Sequence, residues 1–179
     1  MTIYDSVNDI KEMLFGEKGT GFDEVRSAIR KEIEAEKVSM PPQYRMMKIT
    51  NYCNSDCVYC NHAKSRIQNE VKQEISLERL QSIIGEAIQM GVKAISISGG
   101  EPLVRKDVET IVRQIADSNV VPVLLTNGCL LKERAESLYE SGLRYFIISL
   151  DSLDAEDYLA QRGVDIGPVL EGIETVRGL

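Results

Sequence analysis

Short apolar runs alternate with amphipathic segments through most of the chain. The apolar runs predict four strands, at residues 45–50, 94–98, 121–126 and 145–150. None of them alternates cleanly between apolar and polar residues, which is typical of strands covered on both faces. Between them, apolar residues recur at the spacing of a helix. A repeated strand and helix pattern produces a parallel sheet with right-handed crossovers, so we predict an α/β fold.

The ends of the predicted helices carry typical capping residues. Ser76 and Asp107 precede helical segments and are predicted N-caps. Gly91 and Gly142 follow helical segments and are predicted stops. One more helix after the fourth strand is predicted from the apolar residues Val169, Leu170, Ile173 and Val176.

The first 44 residues follow a different pattern. Their apolar spacing predicts two short helices, separated by the glycine-bounded stretch 16–21. The segment Met40-Pro41-Pro42 ends the second helix, because a proline pair cannot continue it. We therefore divide the chain into a helical segment at 1–44 and an α/β domain at 45–179.

Composition and charge narrow the possible partners. The chain has 179 residues and a formal net charge of −7, which disfavours attraction to nucleic acid or to anionic lipid. No apolar run approaches the ~18 residues that span a bilayer, and the first ten residues do not resemble a signal peptide. We expect a cytoplasmic protein with no nucleic-acid or membrane partner.

Three of the four cysteines lie within eight residues, directly after the first predicted strand: Cys53, Cys57 and Cys60. In a reducing compartment, a clustered odd number of thiols indicates metal ligation more than a disulfide framework. Three thiolates can hold three corners of a cubane iron–sulfur cluster and leave the fourth iron open. The alternative is a Cys3His zinc site completed by His62, in a metal-binding module without catalysis.

The ends of the other predicted strands are also polar or glycine-rich. Ligands of parallel α/β folds lie at the carboxyl ends of the strands. There, Gly99 and Gly100 would let the backbone approach a ligand closely, and Glu101 could pair with a cationic amine. The hydroxyl groups of Thr126 and Ser149 suit a carboxylate or a ribose. We predict that these residues and the cysteines meet in one pocket.

These residues together resemble the radical SAM superfamily. The resemblance covers residues 45–179 and rests on the CxxxCxxC sequence with Tyr59 before its last cysteine, on GGEP at 99–102, and on the later strand ends. It implies a partial (β/α)6 TIM-like barrel, of which this chain carries the first four βα units behind the short helical segment. We therefore expect the chain to be the N-terminal portion of a longer protein.

The resemblance also implies cofactors and their ligands. Cys53, Cys57 and Cys60 would bind a four-iron, four-sulfur cluster, and S-adenosylmethionine would chelate the fourth iron. Tyr59 would lie near the adenine. The methionine amine would lie near Gly99, Gly100 and Glu101, and the carboxylate or ribose near Thr126 and Ser149.

The implied activity is that of an enzyme. A reduced cluster would cleave S-adenosylmethionine to a 5′-deoxyadenosyl radical, which abstracts hydrogen from a small-molecule or peptide substrate. An electron donor such as flavodoxin or ferredoxin would reduce the cluster. A chain that binds the cofactor without turnover is a further alternative, which a cofactor-cleavage assay would separate.

Within the superfamily, GGEPLVRKD, LLTNG and ISLDSLD resemble the branch that contains the cyclic pyranopterin synthases and related peptide-modifying enzymes. The pterin enzymes typically place one arginine seven residues before the first cluster cysteine and another three residues before GGEP. Met46 and Ser96 occupy those positions here. Because guanidinium groups supply the bidentate contacts of a triphosphate site, this departure argues against a triphosphate substrate.

Overall fold

The computed structural model describes residues 43–60 and 74–179. The predicted N-terminal helical segment lies outside these residues, except for its last two positions, and so does His62. The division into two domains therefore remains a prediction.

The described residues form a parallel sheet with helices between its strands. The order along the chain is β1 (Tyr44–Lys48), α1 (Leu77–Gln89), β2 (Ala94–Ser98), a 3₁₀ turn (Pro102–Val104), α2 (Val108–Asp117), β3 (Val121–Thr126), α3 (Leu131–Glu140), β4 (Tyr145–Ile148), α4 (Ala155–Arg162) and α5 (Gly167–Arg177). The four strands lie side by side in chain order and all pairs are parallel. The predicted α/β fold with four βα units is confirmed.

The predicted strand positions agree closely with the structure. The bounds of β2 and β3 are those predicted, whereas β1 begins one residue earlier and both β1 and β4 end two residues earlier than expected. Pairing continues briefly beyond these two strands, because the Ile49 amide donates to the Ser98 carbonyl at 2.9 Å and the Ser149 amide donates to the Thr126 carbonyl at 2.9 Å. The loops diverge after these bonds.

Three of the four predicted helix ends behave as expected. The Ser76 hydroxyl accepts from the Arg79 amide, and Gly91 and Gly142 follow their helices with φ of 85° and 99°. Asp107 occupies the N-cap position of α2, but its side chain makes no capping bond. Its carboxylate is instead engaged by a neighbouring arginine, as described below.

Two helices, not one, follow β4. The sequence of α4 carries only Tyr158 and Leu159 as large apolar residues, so it lacks the period that predicted the other helices. Its ends nevertheless carry clear signals. The Asp154 carboxylate accepts from two amides of the first turn, and Gly163 ends the helix with a φ of 67°.

The core lies between the sheet and its helices. It is built mainly from aliphatic side chains with no exposure, including Ile95, Ile97, Leu124, Ile84, Ile111 and Leu138. The opposite face of the sheet leaves Met46, Tyr145 and Ile147 more than half exposed. Among the described residues, the helices cover one face of the sheet, and cover on both faces stays a prediction. In the same part of the chain, no helix is long and apolar enough to cross a bilayer.

A buried arginine joins three segments at the carboxyl end of the sheet. The Arg105 guanidinium donates to both carboxylate oxygens of Asp107, at 2.8 and 2.7 Å. Its remaining terminal nitrogen donates to the carbonyls of Ile49 and Ile75, at 2.9 and 3.0 Å. This one side chain thus ties the end of β1 to the segments that precede α1 and α2.

Replacement of this arginine should destabilise the fold. Arg105→Ala leaves the buried Ile49 carbonyl, the partly buried Ile75 carbonyl and the Asp107 carboxylate without this donor, so we expect the free energy of unfolding to fall by about 3 kcal/mol. Arg113→Ala, on the exposed side of α2, is the control and should change it by less than about 0.5 kcal/mol. Urea denaturation measures both, and equal losses in the two variants would contradict the assignment.

Candidate functional site

One cavity of about 190 Å³ collects the predicted site residues at the carboxyl ends of the strands. Its lining includes every residue predicted for the cluster and the cofactor: Cys53, Cys57, Tyr59, Cys60, Gly99, Gly100, Glu101, Thr126 and Ser149. Ser55, Ser98, Leu125, Asn127 and Arg162 complete it. The expectation that four strand ends meet in one pocket therefore agrees with the geometry.

The loop that carries the three cysteines is held by the end of α4. The amides of Asp56 and Val58, on either side of Cys57, donate to the carbonyls of Arg162 and Gln161, each at 3.0 Å. These carbonyls belong to the last turn of a helix and lack partners within it. The loop therefore satisfies the helix end while the helix fixes the position of Cys57.

The two glycines of GGEP lie beside the same loop. The Gly100 amide donates to the Thr50 carbonyl at 2.9 Å, and the Glu101 amide donates to the Tyr52 carbonyl at 2.7 Å. A Cβ on Gly99 would lie 2.5 Å from the Thr50 oxygen, and one on Gly100 would collide with the Tyr52 carbonyl. Both glycines therefore allow the backbone before Cys53 to approach closely, and their predicted contact with a ligand stays a prediction.

Glu101 is almost fully buried, and both of its carboxylate oxygens are bonded to the protein. One oxygen accepts from the Leu103 amide at 3.0 Å and the Thr126 hydroxyl at 2.7 Å, and the other accepts from the Asn127 amide at 2.7 Å. Burial raises the pKa of this carboxyl, although the three hydrogen bonds oppose the shift. Glu101 thus joins the end of β2 to the end of β3.

Asn127 extends this connection to the cysteine loop. Its side-chain nitrogen donates to the Asn54 side-chain oxygen and the Ser55 hydroxyl, both at 2.7 Å. Its side-chain oxygen accepts from the Cys129 amide at 3.0 Å. The residues between Cys53 and Cys57 are therefore fixed by a side chain that follows β3.

Arg162 is a site residue that the sequence reasoning missed. Its Nη1 lies 3.8 Å from the Cys57 sulfur, its Nε lies 2.5 Å from the Asp151 carboxylate, and its guanidinium lies 5.4 Å from the centre of the Tyr59 ring. The Tyr59 hydroxyl also donates to Asp151. Arg162 lies at the end of α4, and two residues of the sequence could have indicated this helix. Asp154 is a typical N-cap, and Gly163 is a typical residue at a helix end.

The environment of Cys53 disfavours its thiolate. Burial raises the pKa of Cys53, and the charges of Glu101, Cys57 and Cys60 raise it further, against one backbone hydrogen bond from Ser55. A positive charge beside the Cys53 sulfur would oppose this shift.

The thiols do not converge on one point. Across residues 43–60 and 74–179, no three His, Cys, Asp or Glu side chains are placed to hold a single metal ion. A tetrahedral zinc ion needs its thiolates at about 2.3 Å from one centre, whereas a cubane cluster offers each thiolate a different iron.

Comparison with known proteins places this site in a family. Residues 47–179 match the Radical SAM superfamily. The chain belongs to the radical SAM superfamily. The family's cofactors are a four-iron, four-sulfur cluster and S-adenosylmethionine, so the predicted enzyme class and cofactors are confirmed at the level of the family.

Curated relatives carry related sequences. A GTP 3′,8-cyclase from Alkaliphilus oremlandii is 36% identical over 133 residues, which cover 73% of this chain and 42% of the relative. A probable GTP 3′,8-cyclase from Methanococcus vannielii is 39% identical over 129 residues, which cover 72% of this chain and 43% of the relative. The chain thus spans less than half the length of these relatives.

Solved structures share the fold at lower identity. SuiB of Streptococcus suis, bound to S-adenosylmethionine, has a TM-score of 0.68 and 18% identity, and the match covers 98% of this chain and 42% of that one. The enzyme anSMEcpe with bound AdoMet has a TM-score of 0.62 and 24% identity, over 77% of this chain and 40% of that one. The predicted TIM-like barrel class is confirmed.

A side chain at position 100 should displace the cysteine loop. Because the Cβ of Gly100→Ala would collide with the Tyr52 carbonyl, we expect a loss of about 1–3 kcal/mol in unfolding free energy and reduced iron retention after anaerobic reconstitution. Gly85→Ala is the control, since nothing lies within 4 Å of its Cβ, and it should stabilise α1 by about 0.5–1 kcal/mol. Normal stability and iron retention in Gly100→Ala would contradict this packing.

The buried carboxyl of Glu101 should titrate above its ordinary value of 4.5. A raised pKa means that the native state binds the proton more tightly than the unfolded state. The contribution of Glu101 to stability therefore falls as the pH rises from 4.5 through the raised pKa. Carbon-13 NMR of the side-chain carboxyls measures this, with Glu101→Gln identifying the signal. Titration at or below 4.5 would show that the hydrogen bonds outweigh burial.

Proposed function

We propose that the chain holds a four-iron, four-sulfur cluster through Cys53, Cys57 and Cys60, binds S-adenosylmethionine beside it, and forms the centre of an enzyme that removes a hydrogen atom from its substrate. The observation that carries this proposal is the single cavity lined by three thiols and by the residues that follow the other three strands. Membership of the radical SAM superfamily supports it.

The chemistry of the donor set fits the cluster. The burial of Cys53 and the nearby carboxylate of Glu101 disfavour a free thiolate, and the positive charge of iron would offset both. Arg162 supplies a further cation, with its Nη1 3.8 Å from the Cys57 sulfur. The protein thus brings three sulfur ligands together and places a guanidinium, itself paired with Asp151, beside one of them.

Several groups in the cavity wall suit S-adenosylmethionine. Tyr59 is 56% exposed, so its ring offers a surface for the adenine. Ser149 and the backbone of Gly99 and Gly100 line the cavity and would meet the polar end of the cofactor. Contacts of Glu101 and Thr126 with the cofactor stay a prediction.

The bond between Thr126 and Glu101 suggests a further role for both residues. In the structure, the Thr126 hydroxyl donates to the Glu101 carboxylate at 2.7 Å and accepts from the Gly128 amide at 3.0 Å. We propose that this pair holds the wall of the cavity in place. The cofactor groups can then be bound without rearrangement of the strand ends.

The chain's own residues bind and orient the reactants. When bound, the reduced cluster and S-adenosylmethionine supply the one-electron chemistry that abstracts hydrogen from a substrate. The protein holds the sulfur ligands, orients the cofactor against the strand ends, and limits the access of water to the reacting atoms. A small molecule or a peptide is the proposed substrate, and a flavodoxin or ferredoxin is the proposed electron donor.

Cluster assembly and cofactor cleavage test the proposal together. Protein reconstituted without oxygen should contain close to four irons and four sulfides per chain, and should convert S-adenosylmethionine to 5′-deoxyadenosine when reduced with dithionite. Replacement of Cys53, Cys57 or Cys60 by Ala should abolish both. Cys129→Ala is the matched control and should retain both. Cys129 packs against a small apolar core formed by Tyr158, Ile166 and Val169.

The same measurements separate the alternatives. One tightly bound zinc per chain, without sulfide, would contradict the proposal. It would favour the alternative of a zinc-binding module without catalysis. A full cluster without cleavage of S-adenosylmethionine would favour a chain that binds the cofactor without turnover.

A further inference from the structure

Arg162 contacts the cysteine loop twice, once through its main chain and once through its side chain. Its carbonyl accepts from the Asp56 amide at 3.0 Å, and its Nη1 lies 3.8 Å from the Cys57 sulfur. The next residue, Gly163, has a φ of 67°, and a Cβ there would lie 3.0 Å from the Asp56 Cβ. The end of α4 therefore approaches the loop so closely that the guanidinium and the Cys57 sulfur keep a defined separation.

The guanidinium of Arg162 is also restrained from its other side. Its Nε donates to the Asp151 carboxylate at 2.5 Å, and its side chain is only 11% exposed. The Tyr59 hydroxyl donates to the same carboxylate oxygen, and the Tyr59 ring lies within the range of a cation–π contact, with its centre 5.4 Å from the guanidinium. Different nitrogens thus contact Cys57 and Asp151, and neither contact has to break for the other to form.

This guanidinium is the main positive group of the cavity. Among the described residues that line the cavity, Arg162 is the only one with a cationic side chain and Glu101 is the only one with a carboxylate. The Glu101 carboxylate already accepts three hydrogen bonds from the protein. A negatively charged group held by the three thiolates would therefore meet one cation in this part of the chain.

A cation beside a thiolate ligand changes how easily an iron–sulfur cluster accepts an electron. Reduction adds one negative charge to the cluster and forms or breaks no bond to the protein. A nearby positive charge stabilises the more negative, reduced state, and hydrogen bonds to the sulfurs act in the same direction. Sulfur is larger than oxygen, so an N–H group reaches it at a longer distance, and the 3.8 Å between Arg162 and Cys57 is a contact of this kind.

We propose that Arg162 donates a hydrogen bond to the Cys57 thiolate of the bound cluster and raises its reduction potential, and that Asp151 limits the rise by partly neutralising the guanidinium. This inference rests on the proposed function, since it needs a cluster at the three thiols. Both residues act through Cys57 and contact no substrate, so we assign them a positioning and tuning role. Together they make the cluster reducible by a low-potential one-electron donor.

Loss of the cation should lower the potential. Arg162→Gln keeps a polar side chain but leaves the Asp151 carboxylate without its counter-ion beside the cluster. We expect the ratio of reduced to oxidised cluster at a fixed potential to fall about tenfold, which corresponds to about 59 mV for one electron. The midpoint is measured by redox titration of the anaerobically reconstituted full chain with dithionite, followed by electron paramagnetic resonance. S-adenosylmethionine is omitted, so that only protein groups surround the cluster.

Loss of the carboxylate should raise the potential. Asp151→Asn keeps the shape of the side chain and an oxygen that accepts from Arg162 and Tyr59, but it removes the negative charge that opposes the guanidinium. We expect the ratio of reduced to oxidised cluster to rise about threefold at the same fixed potential. A purely structural role would not give these two variants shifts of opposite sign.

A second arginine at a helix end supplies the matched control. Arg177 is the last residue of α5 and pairs with Glu174 at 2.8 Å, and it does not line the cavity. Arg177→Gln is therefore the same substitution in a similar ion pair, and it should leave the midpoint potential unchanged. A shift as large as that of Arg162→Gln would overturn the proposal.

Iron and sulfide are measured in each preparation, together with 5′-deoxyadenosine after addition of S-adenosylmethionine. Shifts of the same sign in Arg162→Gln and Asp151→Asn, or no shift in either, would overturn the proposal. If Arg162→Gln does not retain four irons, Asp151→Asn decides alone, and an unchanged or lowered potential would refute the tuning role. A natural chain without a cluster rejects the proposed function, whereas a cluster that cleaves S-adenosylmethionine but lacks these shifts rejects only the role of Arg162 and Asp151.

Discussion

A buried carboxylate with three donors organises the whole site. Glu101 lies away from water, so its oxygens must be satisfied within the protein, and the donors come from Leu103, Thr126 and Asn127. This requirement fixes the segment after β3 relative to the segment after β2. Asn127, once placed, holds the cysteine loop through Asn54. Loss of any one of these bonds would therefore loosen the others.

The sequence predicts the parts of this arrangement that depend on short-range patterns. Strand bounds follow from apolar runs, so β2 and β3 were predicted to the residue. The site residues could be grouped from the amino-acid sequence because the carboxyl ends of parallel strands meet at one edge. The cysteine motif and GGEP could be assigned to the site because each of them directly follows a predicted strand. In each case a local pattern and one topological rule are sufficient.

Other features depend on contacts that no local pattern encodes. The helix α4 lacks an apolar period because only Tyr158 in it is buried, so Arg162 could not be placed near Cys57. The close approach of the Tyr52 carbonyl to Gly100 could not be predicted, since glycine permits any close approach and the sequence does not say which backbone approaches. The burial of Ser96 likewise depends on a contact from another strand, since the Tyr44 hydroxyl of β1 donates to its oxygen.

The clamp from α4 onto the cysteine loop joins residues far apart in the chain. Arg162 and Cys57 are 105 positions apart, and the backbone bonds to Asp56 and Val58 span a similar distance. During synthesis the loop leaves the ribosome long before α4 exists, so its thiols are present without their final restraint. The loop can reach its described shape only after the fourth βα unit has folded. The proposed cluster would therefore meet its loop in the described shape only after α4 has formed.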